Sequence, residues 1–180
     1  MWRRLRWFLL ALAVLVVGGA IALAVVEQPK LDDDQQTVDA RWSSLSPALQ
    51  DRYDKLGGAL TAFAAAGGGD RAVTKDLGDA LSDWQKALAA KDPGAEATAA
   101  NRLEAQATRL RVNAGVGRFA GVPELSAAIG AFTGSLPAAD QVTAYNRAVT
   151  RYQKQRRSTL GAPVSRVLGF DERPVLVLGG

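Results

Sequence analysis

The 180-residue chain contains no cysteine and no histidine. Without cysteine it can form neither disulfides nor the thiolate zinc sites of small domains. Without histidine it lacks the commonest general base, the usual ligand of transition metals and every catalytic triad that uses imidazole. We therefore expect a protein that is not an enzyme, with no catalytic residues, no metal site and no cofactor.

Acidic residues are absent from the first 26 positions, although the whole chain has 18 of them. Three of the 22 basic residues, Arg3, Arg4 and Arg6, lie in that stretch, and the other 19 nearly balance the acidic ones. The pI of about 9.7 therefore reflects the N terminus and not a basic surface on the rest of the chain. Nucleic acid is not an expected partner.

A run of 20 residues from Trp7 to Val26 has no charged or strongly polar side chain. As a helix it would be about 30 Å long, which matches the hydrocarbon core of a bilayer. Arg3, Arg4 and Arg6 precede the run, and an excess of positive charge favours the cytoplasmic side. The sequence predicts a single-pass anchor of the plasma (inner) membrane, with the N terminus inside and the domain extracytoplasmic.

A cleavable signal peptide is the alternative interpretation of the same segment. Residues 20–22 and 22–24 both have the small-x-small pattern of a cleavage site. The run is longer than the roughly 7–15 residues of a usual signal-peptide core, which favours the anchor. Both interpretations export the domain.

Apolar residues recur every seven positions after a short polar linker at 30–36. Trp42, Leu49, Leu56 and Phe63 form one seam of the first helix, and Arg52 interrupts a second seam. This spacing is typical of coiled coils and helix bundles. We predict an all-α protein in which a transmembrane helix (with its cytoplasmic tip, residues 1–29) precedes an antiparallel up-and-down four-helix bundle over residues 37–160. The predicted helices are 35–66, 70–90, 95–114 and 138–159, with a short helix at 123–133 and a tail at 161–180 that packs along the bundle or frays.

Proline, glycine and aspartate mark the expected helix ends. Pro47 predicts a kink or a new start in the first helix. The glycines at 67–69 should end that helix, and Asp70 is suited to cap the second. Asp92 is suited to cap the third, with Pro93 in its first turn.

Three stretches of the chain resemble the LemA family of bacterial membrane-anchored proteins. Residues 38–54 resemble the family's opening helix, and residues 122–127 resemble its Tyr-Pro-Asp-Leu-Lys-Ala segment. Residues 145–153 resemble its doubled Tyr-Asn helix, and the Leu-Gly-Phe at 168–170 followed by Pro174 resembles its Gly-Phe tail. The chain differs from the family pattern at several positions, as a divergent member would. The resemblance implies a four-helix bundle beyond a membrane helix and no established activity. The family-like residues are Trp42, Arg52, Asp54, Pro123, Tyr145, Asn146, Tyr152, Gly169 and Phe170.

The last long helix carries a candidate interaction face. Arg147, Arg151 and Lys154 follow i, i+4, i+7 spacing, so they lie on one side of the helix. They are suited to contact an acidic protein, anionic lipid or an envelope polyanion. The alternative is a solvated polar face opposite the apolar one, which every amphipathic helix needs.

Other candidate residues have structural interpretations beside the functional ones. The acidic triplet at 32–34 is suited to bind a divalent cation, or else it is a solvated linker. Asp51 and Asp54 form a carboxylate pair that a hydrolase would need, and pairs of this kind are also common on solvated helices. Arg52 is expected either to extend toward solvent or to form a partly buried ion pair. Asp51, Arg52 and Asp54 are expected to lie near the basic face of the last helix and are suited to pair with it. Tyrosines 145 and 152 and the intervening Asn146 are expected to make structural hydrogen bonds.

Together these patterns predict a membrane-anchored, non-enzymatic cell-envelope protein that acts as an interaction or scaffold domain. The alternative is binding of anionic lipid or polyanion through the basic face. The expected partners are the membrane and unidentified envelope proteins, and a homo-oligomer is left open.

Overall fold

The computed structural model describes the backbone of residues 2–179 and the side chains of residues 27–179. All regular elements in residues 2–179 are helical, so the predicted all-α class and the helical bundle are confirmed. The main helices are α1 (Trp2–Phe63), α2 (Ala72–Ala90), α3 (Pro93–Ala114), α4 (Pro123–Thr133), α5 (Ala139–Arg156) and α6 (Gly161–Leu168).

The predicted membrane anchor lies outside the residues whose side chains are described. This applies to Arg3, Arg4, Arg6, Trp7 and Val26 alike. In residues 27–179, no helix is both long enough and apolar enough to cross a bilayer.

Helix α1 is continuous through the segment predicted as a linker, residues 30–36. The difference has a local cause, because Leu31 lies seven positions before Val38 and both side chains are fully buried. The apolar seam therefore begins one heptad earlier than predicted. Pro47 lies inside α1 without ending it, so the predicted new start does not occur.

The predicted seams of α1 are confirmed as the centre of the core. Trp42, Leu49, Leu56 and Phe63 are all buried, as are the second-seam residues Val38, Leu45 and Ala59. The sevenfold recurrence therefore identified the correct face of α1.

Contacts between side chains give the direction of each helix along α1. Trp42 lies beside Glu96 of α3 and Arg52 lies beside Glu104, so α1 and α3 run parallel. Helix α5 runs the other way, because its Tyr145 ring packs on Trp42, with centroids 5.1 Å apart, while its last turn reaches Glu27. Helix α2 runs antiparallel to α3, since Asp83 pairs with Arg102 and Asp76 with Arg109. Helix α4 packs on α1, and the carbonyl of its Phe132 accepts a hydrogen bond from Arg52.

Of the two helix caps predicted from aspartate residues, one is confirmed and the other is wrong. The carboxylate of Asp92 accepts hydrogen bonds from the N–H groups of Gly94 and Ala95, at 2.9 and 3.2 Å, so the predicted cap of α3 is confirmed. The predicted cap of α2 by Asp70 is wrong, because α2 begins at Ala72 and has no side-chain cap. A π-helical turn that includes Gly67 in the left-handed region displaces that start.

The predicted tail contains a helix that sequence periodicity did not indicate. Helix α6 folds back on the end of α5 and ends at Gly169, which has a φ of 73° and so favours glycine. Residues 170–179 then run along the bundle without regular structure. Of the two alternatives for the tail, packing along the bundle is confirmed.

Candidate functional site

Arg52 lies at the centre of a buried polar cluster. Its guanidinium forms two hydrogen bonds with the Glu104 carboxylate, with nitrogen–oxygen distances of 2.7 and 2.9 Å. It also donates to the carbonyl of Phe132 at 2.9 Å and to that of Gly179 at 3.3 Å. The guanidinium carbon lies 4.0 Å from the centre of the Phe132 ring. Of the two alternatives predicted for Arg52, the ion pair is confirmed, although the side chain is fully and not partly buried. The contacts of Arg52 join α1, α3, α4 and the tail.

The partner of Arg52 differs from the one expected. Asp51 and Asp54 face solvent, and Asp51 pairs with Lys55 of its own helix at 2.6 Å. Arg52 pairs with α3, so the expected proximity of this region to the basic face of the last helix is wrong. The carboxylate pair suggested for a hydrolase lies on the outer surface of α1.

A second buried carboxylate of α3 lies eight residues before Glu104. Glu96 accepts a hydrogen bond from Nε1 of Trp42 at 2.6 Å and another from the Ser46 hydroxyl at 3.3 Å. Sequence reasoning missed both glutamates because α3 was identified only by its alanine-rich stripe. The available signal was their placement among the inward-facing positions Ala97, Ala100 and Leu103.

Two asparagines hold the backbone of the C-terminal tail from opposite sides. The Asn101 amide of α3 donates to the carbonyl of Val175 at 2.7 Å and accepts from the N–H of Val177 at 2.8 Å. The Asn146 amide of α5 donates to the carbonyl of Leu176 at 2.8 Å and accepts from its N–H at 2.7 Å. Asn146 therefore makes the structural bonds predicted for it, with the tail as its partner.

The tyrosine hydroxyls of α5 also bind the tail. Tyr145 donates to the carbonyl of Pro174 at 2.9 Å and Tyr152 to that of Asp171 at 2.7 Å. Burial raises the pKa of both hydroxyls above the ordinary range, so they stay neutral donors near neutral pH. Tyr53 of α1 is buried as well, and burial raises its pKa too. Tyr145 and Tyr152 therefore make the structural hydrogen bonds predicted for them.

Arg173 fixes the tail to α1 at Asp39. Its guanidinium lies 3.3 Å from one oxygen of Asp39 and 3.9 Å from the capping carboxylate of Asp92. The arginine side chain is largely buried, so this contact excludes solvent as well as balancing charge. The tail is thereby attached to α1, α3 and α5 at once.

The remaining family-like residues occupy helix ends. Pro123 starts α4 and Gly169 ends α6. Phe170 is partly buried, and its carbonyl accepts a hydrogen bond from Nε of Arg156 at 2.9 Å. These positions determine how the chain turns and how the tail is placed.

The three basic residues predicted to form an interaction face lie together on the outside of α5. Arg147, Arg151 and Lys154 are exposed and line one open depression, together with residues such as Thr143 and Thr150. Arg147 and Arg151 also line an adjoining open groove of about 330 Å³ between α1 and α5. Arg41 of α1 lies on the opposite side of that groove. The structure thus brings the three predicted residues together and adds a fourth basic one.

The acidic triplet at 32–34 lies on α1 near this face. Asp34 pairs with Arg151, with an oxygen–nitrogen distance of 2.7 Å. Among residues 27–179, no group of three or more acidic side chains is arranged to hold a metal ion. Asp34 therefore has a structural partner on α5.

Comparison of the chain with protein-family models, with curated proteins and with solved structures finds no significant match.

Proposed function

We propose that the chain is a membrane-anchored, non-enzymatic interaction or scaffold protein of the cell envelope, of the LemA type. In this proposal residues 7–26 span the membrane with the N terminus inside. The exported part is an up-and-down four-helix bundle in which α4 and α5 together form the fourth helix. The resemblance of the chain to the LemA family and the long apolar run support the proposal.

The observation that supports a non-enzymatic role is that the buried polar groups bond to other parts of the same chain. Arg52, Glu104, Glu96 and Arg173 each bond to another part of the same chain. In residues 27–179, no buried side-chain nitrogen or oxygen lacks a hydrogen-bond partner. Because these buried groups hold helices and tail together, the exposed side chains are the ones that a partner can contact.

The outer surface offers the groove between α1 and α5 as the place for a partner. Its rim carries Arg41, Arg147 and Arg151, and Lys154 follows along α5. Open grooves rimmed by positive charge suit an acidic protein segment, because complementary charge accelerates encounter and orients the partner. We therefore assign the protein-contacting face to this groove.

Site-specific photo-crosslinking in intact cells tests the assignment. A photo-reactive amino acid replaces Thr150, which is exposed beside the groove, and Gln85 on the exposed side of α2 serves as the matched control position. We expect discrete protein adducts at position 150 that disappear when Arg147 and Lys154 are reversed to glutamate. Adducts to lipid alone at position 150, or equal adducts at both positions, would contradict the proposal.

The second candidate function is binding of anionic lipid or of an envelope polyanion by the same basic residues. The exposed row Arg147, Arg151 and Lys154 favours it. Such binding should weaken strongly as salt rises, because exposed charges are screened. The full chain in zwitterionic nanodiscs, mixed with anionic vesicles or polyphosphate, should bind at low salt. Unchanged binding after charge reversal of the row would exclude this function.

A further inference from the structure

Helix α6 exposes apolar side chains on the side that faces away from the bundle. Val164 and Ser165 are buried against the protein, whereas Val167 is 82% exposed and Leu160, just before the helix, is 46% exposed. Pro163 is exposed as well. Positions 160, 163 and 167 are spaced i, i+3, i+7, so they form one stripe. The bundle covers only one apolar side of this helix and leaves the stripe of Leu160, Pro163 and Val167 exposed.

The position of α6 in the fold indicates what could cover this exposed stripe. Gly161 packs directly on the end of α5, because a Cβ atom there would lie 2.1 Å from the carbonyl oxygen of Gln155. The side chain of Gln155 in turn donates a hydrogen bond to Glu27 of α1. Helix α6 therefore lies beside Glu27, the residue that directly follows the 20-residue apolar run.

The backbone of α1 continues as a helix from Glu27 toward the N terminus. At about 1.5 Å per residue, the run from Val26 back to Trp7 extends about 30 Å from this point. If that run crosses a bilayer, Glu27 lies at the boundary between hydrocarbon and headgroups. The exposed stripe of α6 then lies at the same boundary.

The charge around α6 fits a phospholipid surface. Residues 151–168 contain five basic side chains and no acidic one. Arg166 lies exposed on α6 itself, and Arg157 at the end of α5 pairs with Glu172. The acidic groups that face this end are Glu27, the triplet at 32–34, and Asp171 and Glu172, which follow α6. Glu27 is bonded to Lys30 and Gln155, and Asp34 is paired with Arg151. Apolar side chains flanked by arginine are typical of helices that lie in the membrane interface.

We propose that α6 is a membrane-contacting foot. Its stripe of Leu160, Pro163 and Val167 inserts at the headgroup boundary of the bilayer that the anchor crosses, and Arg166 contacts lipid phosphates. The foot gives the bundle a second attachment beside α1, which fixes its orientation on the membrane. This inference rests on the proposed membrane anchor.

The absence of cysteine makes a direct test simple, because one introduced cysteine is the only thiol in the chain. The full chain with Val167→Cys carries an environment-sensitive fluorophore and is reconstituted in vesicles of phosphatidylcholine and phosphatidylglycerol. The matched control is Val112→Cys, a valine 64% exposed on α3 at the end of the bundle remote from Glu27. Washing the vesicles with alkaline carbonate tests the anchor separately.

We expect the emission at position 167 to shift to the blue and to be quenched by lipids that carry a spin label near the headgroup. Emission at position 112 should stay that of a probe in water. A blue shift at 167 without lipid quenching would show that protein, such as a second copy, covers the stripe, and would overturn the proposal. Water-like emission at 167 in a chain that survives the carbonate wash would overturn the foot and leave the anchor standing. Release of the chain by carbonate would overturn the anchor, and the foot with it.

Discussion

Replacing Glu104 by leucine removes the main partner of Arg52, the least exposed charged side chain among residues 27–179. The guanidinium would keep only the carbonyls of Phe132 and Gly179. An uncompensated charge in a protein interior typically costs about 3–5 kcal/mol of unfolding free energy. For a domain of this size that corresponds to a fall in Tm of roughly 6–20 °C.

The double variant R52M/E104L tests whether the loss of stability comes from the charge of Arg52 that is left buried without a partner. Apolar residues of similar volume commonly replace a buried ion pair at little or no cost, so the double variant should be more stable than either single one. The assay is thermal unfolding of the full chain in detergent, followed by far-ultraviolet circular dichroism. As the control, Asp79→Asn breaks the exposed Lys75–Asp79 pair and should leave the Tm unchanged. Single variants that are as stable as the double variant would refute the reasoning.

Three further predictions follow from the tail, from α6 and from the tyrosines. Asn146→Leu removes two hydrogen bonds to Leu176, so amide exchange at that residue should accelerate while α1 stays protected, and unchanged exchange would show that the asparagine does not hold the tail. Gly161→Ala places a methyl group against the carbonyl of Gln155 and should lower the Tm, whereas Gly130→Ala, with open space around it, should leave the Tm unchanged or raise it slightly. All three tyrosines have folded pKa values above the unfolded value of about 10, so the stability that their burial contributes is complete below pH 10 and is lost as pH rises toward the folded values. Ultraviolet absorbance should therefore show the three tyrosines ionising together with unfolding at alkaline pH, and ionisation near pH 10 in the folded protein would contradict the burial argument.

The buried face of α1 could be predicted because a sevenfold apolar repeat requires a neighbouring helix on that side. Trp42 and Phe63 follow that repeat and are buried. Periodicity predicts which face of a helix is buried, but it does not predict which other helix packs against that face. The repeat therefore identifies Arg52 as an interruption of the seam but does not identify its partner Glu104, which lies 52 residues away on α3.

Local signals were reliable where one residue satisfies a helix end by itself. Asp92 caps α3 as its spacing from Pro93 predicts. Asp70 failed as a cap because the π-helical turn before it changed the position at which α2 starts. Helix α6 was missed because glycine and proline near its start indicate a turn, and because its stability depends on packing against α5.

The contacts of the tail have a consequence for aggregation. Residues 174–178 form an apolar, β-prone stretch, and an open backbone edge on such a stretch can template pairing with other chains. Asn101 occupies one edge and Asn146 occupies the other, so two side-chain amides do the work that neighbouring strands would do in a sheet. The bundle can thus display Val175 and Val177 at its surface without offering a partner strand the hydrogen bonds it would need.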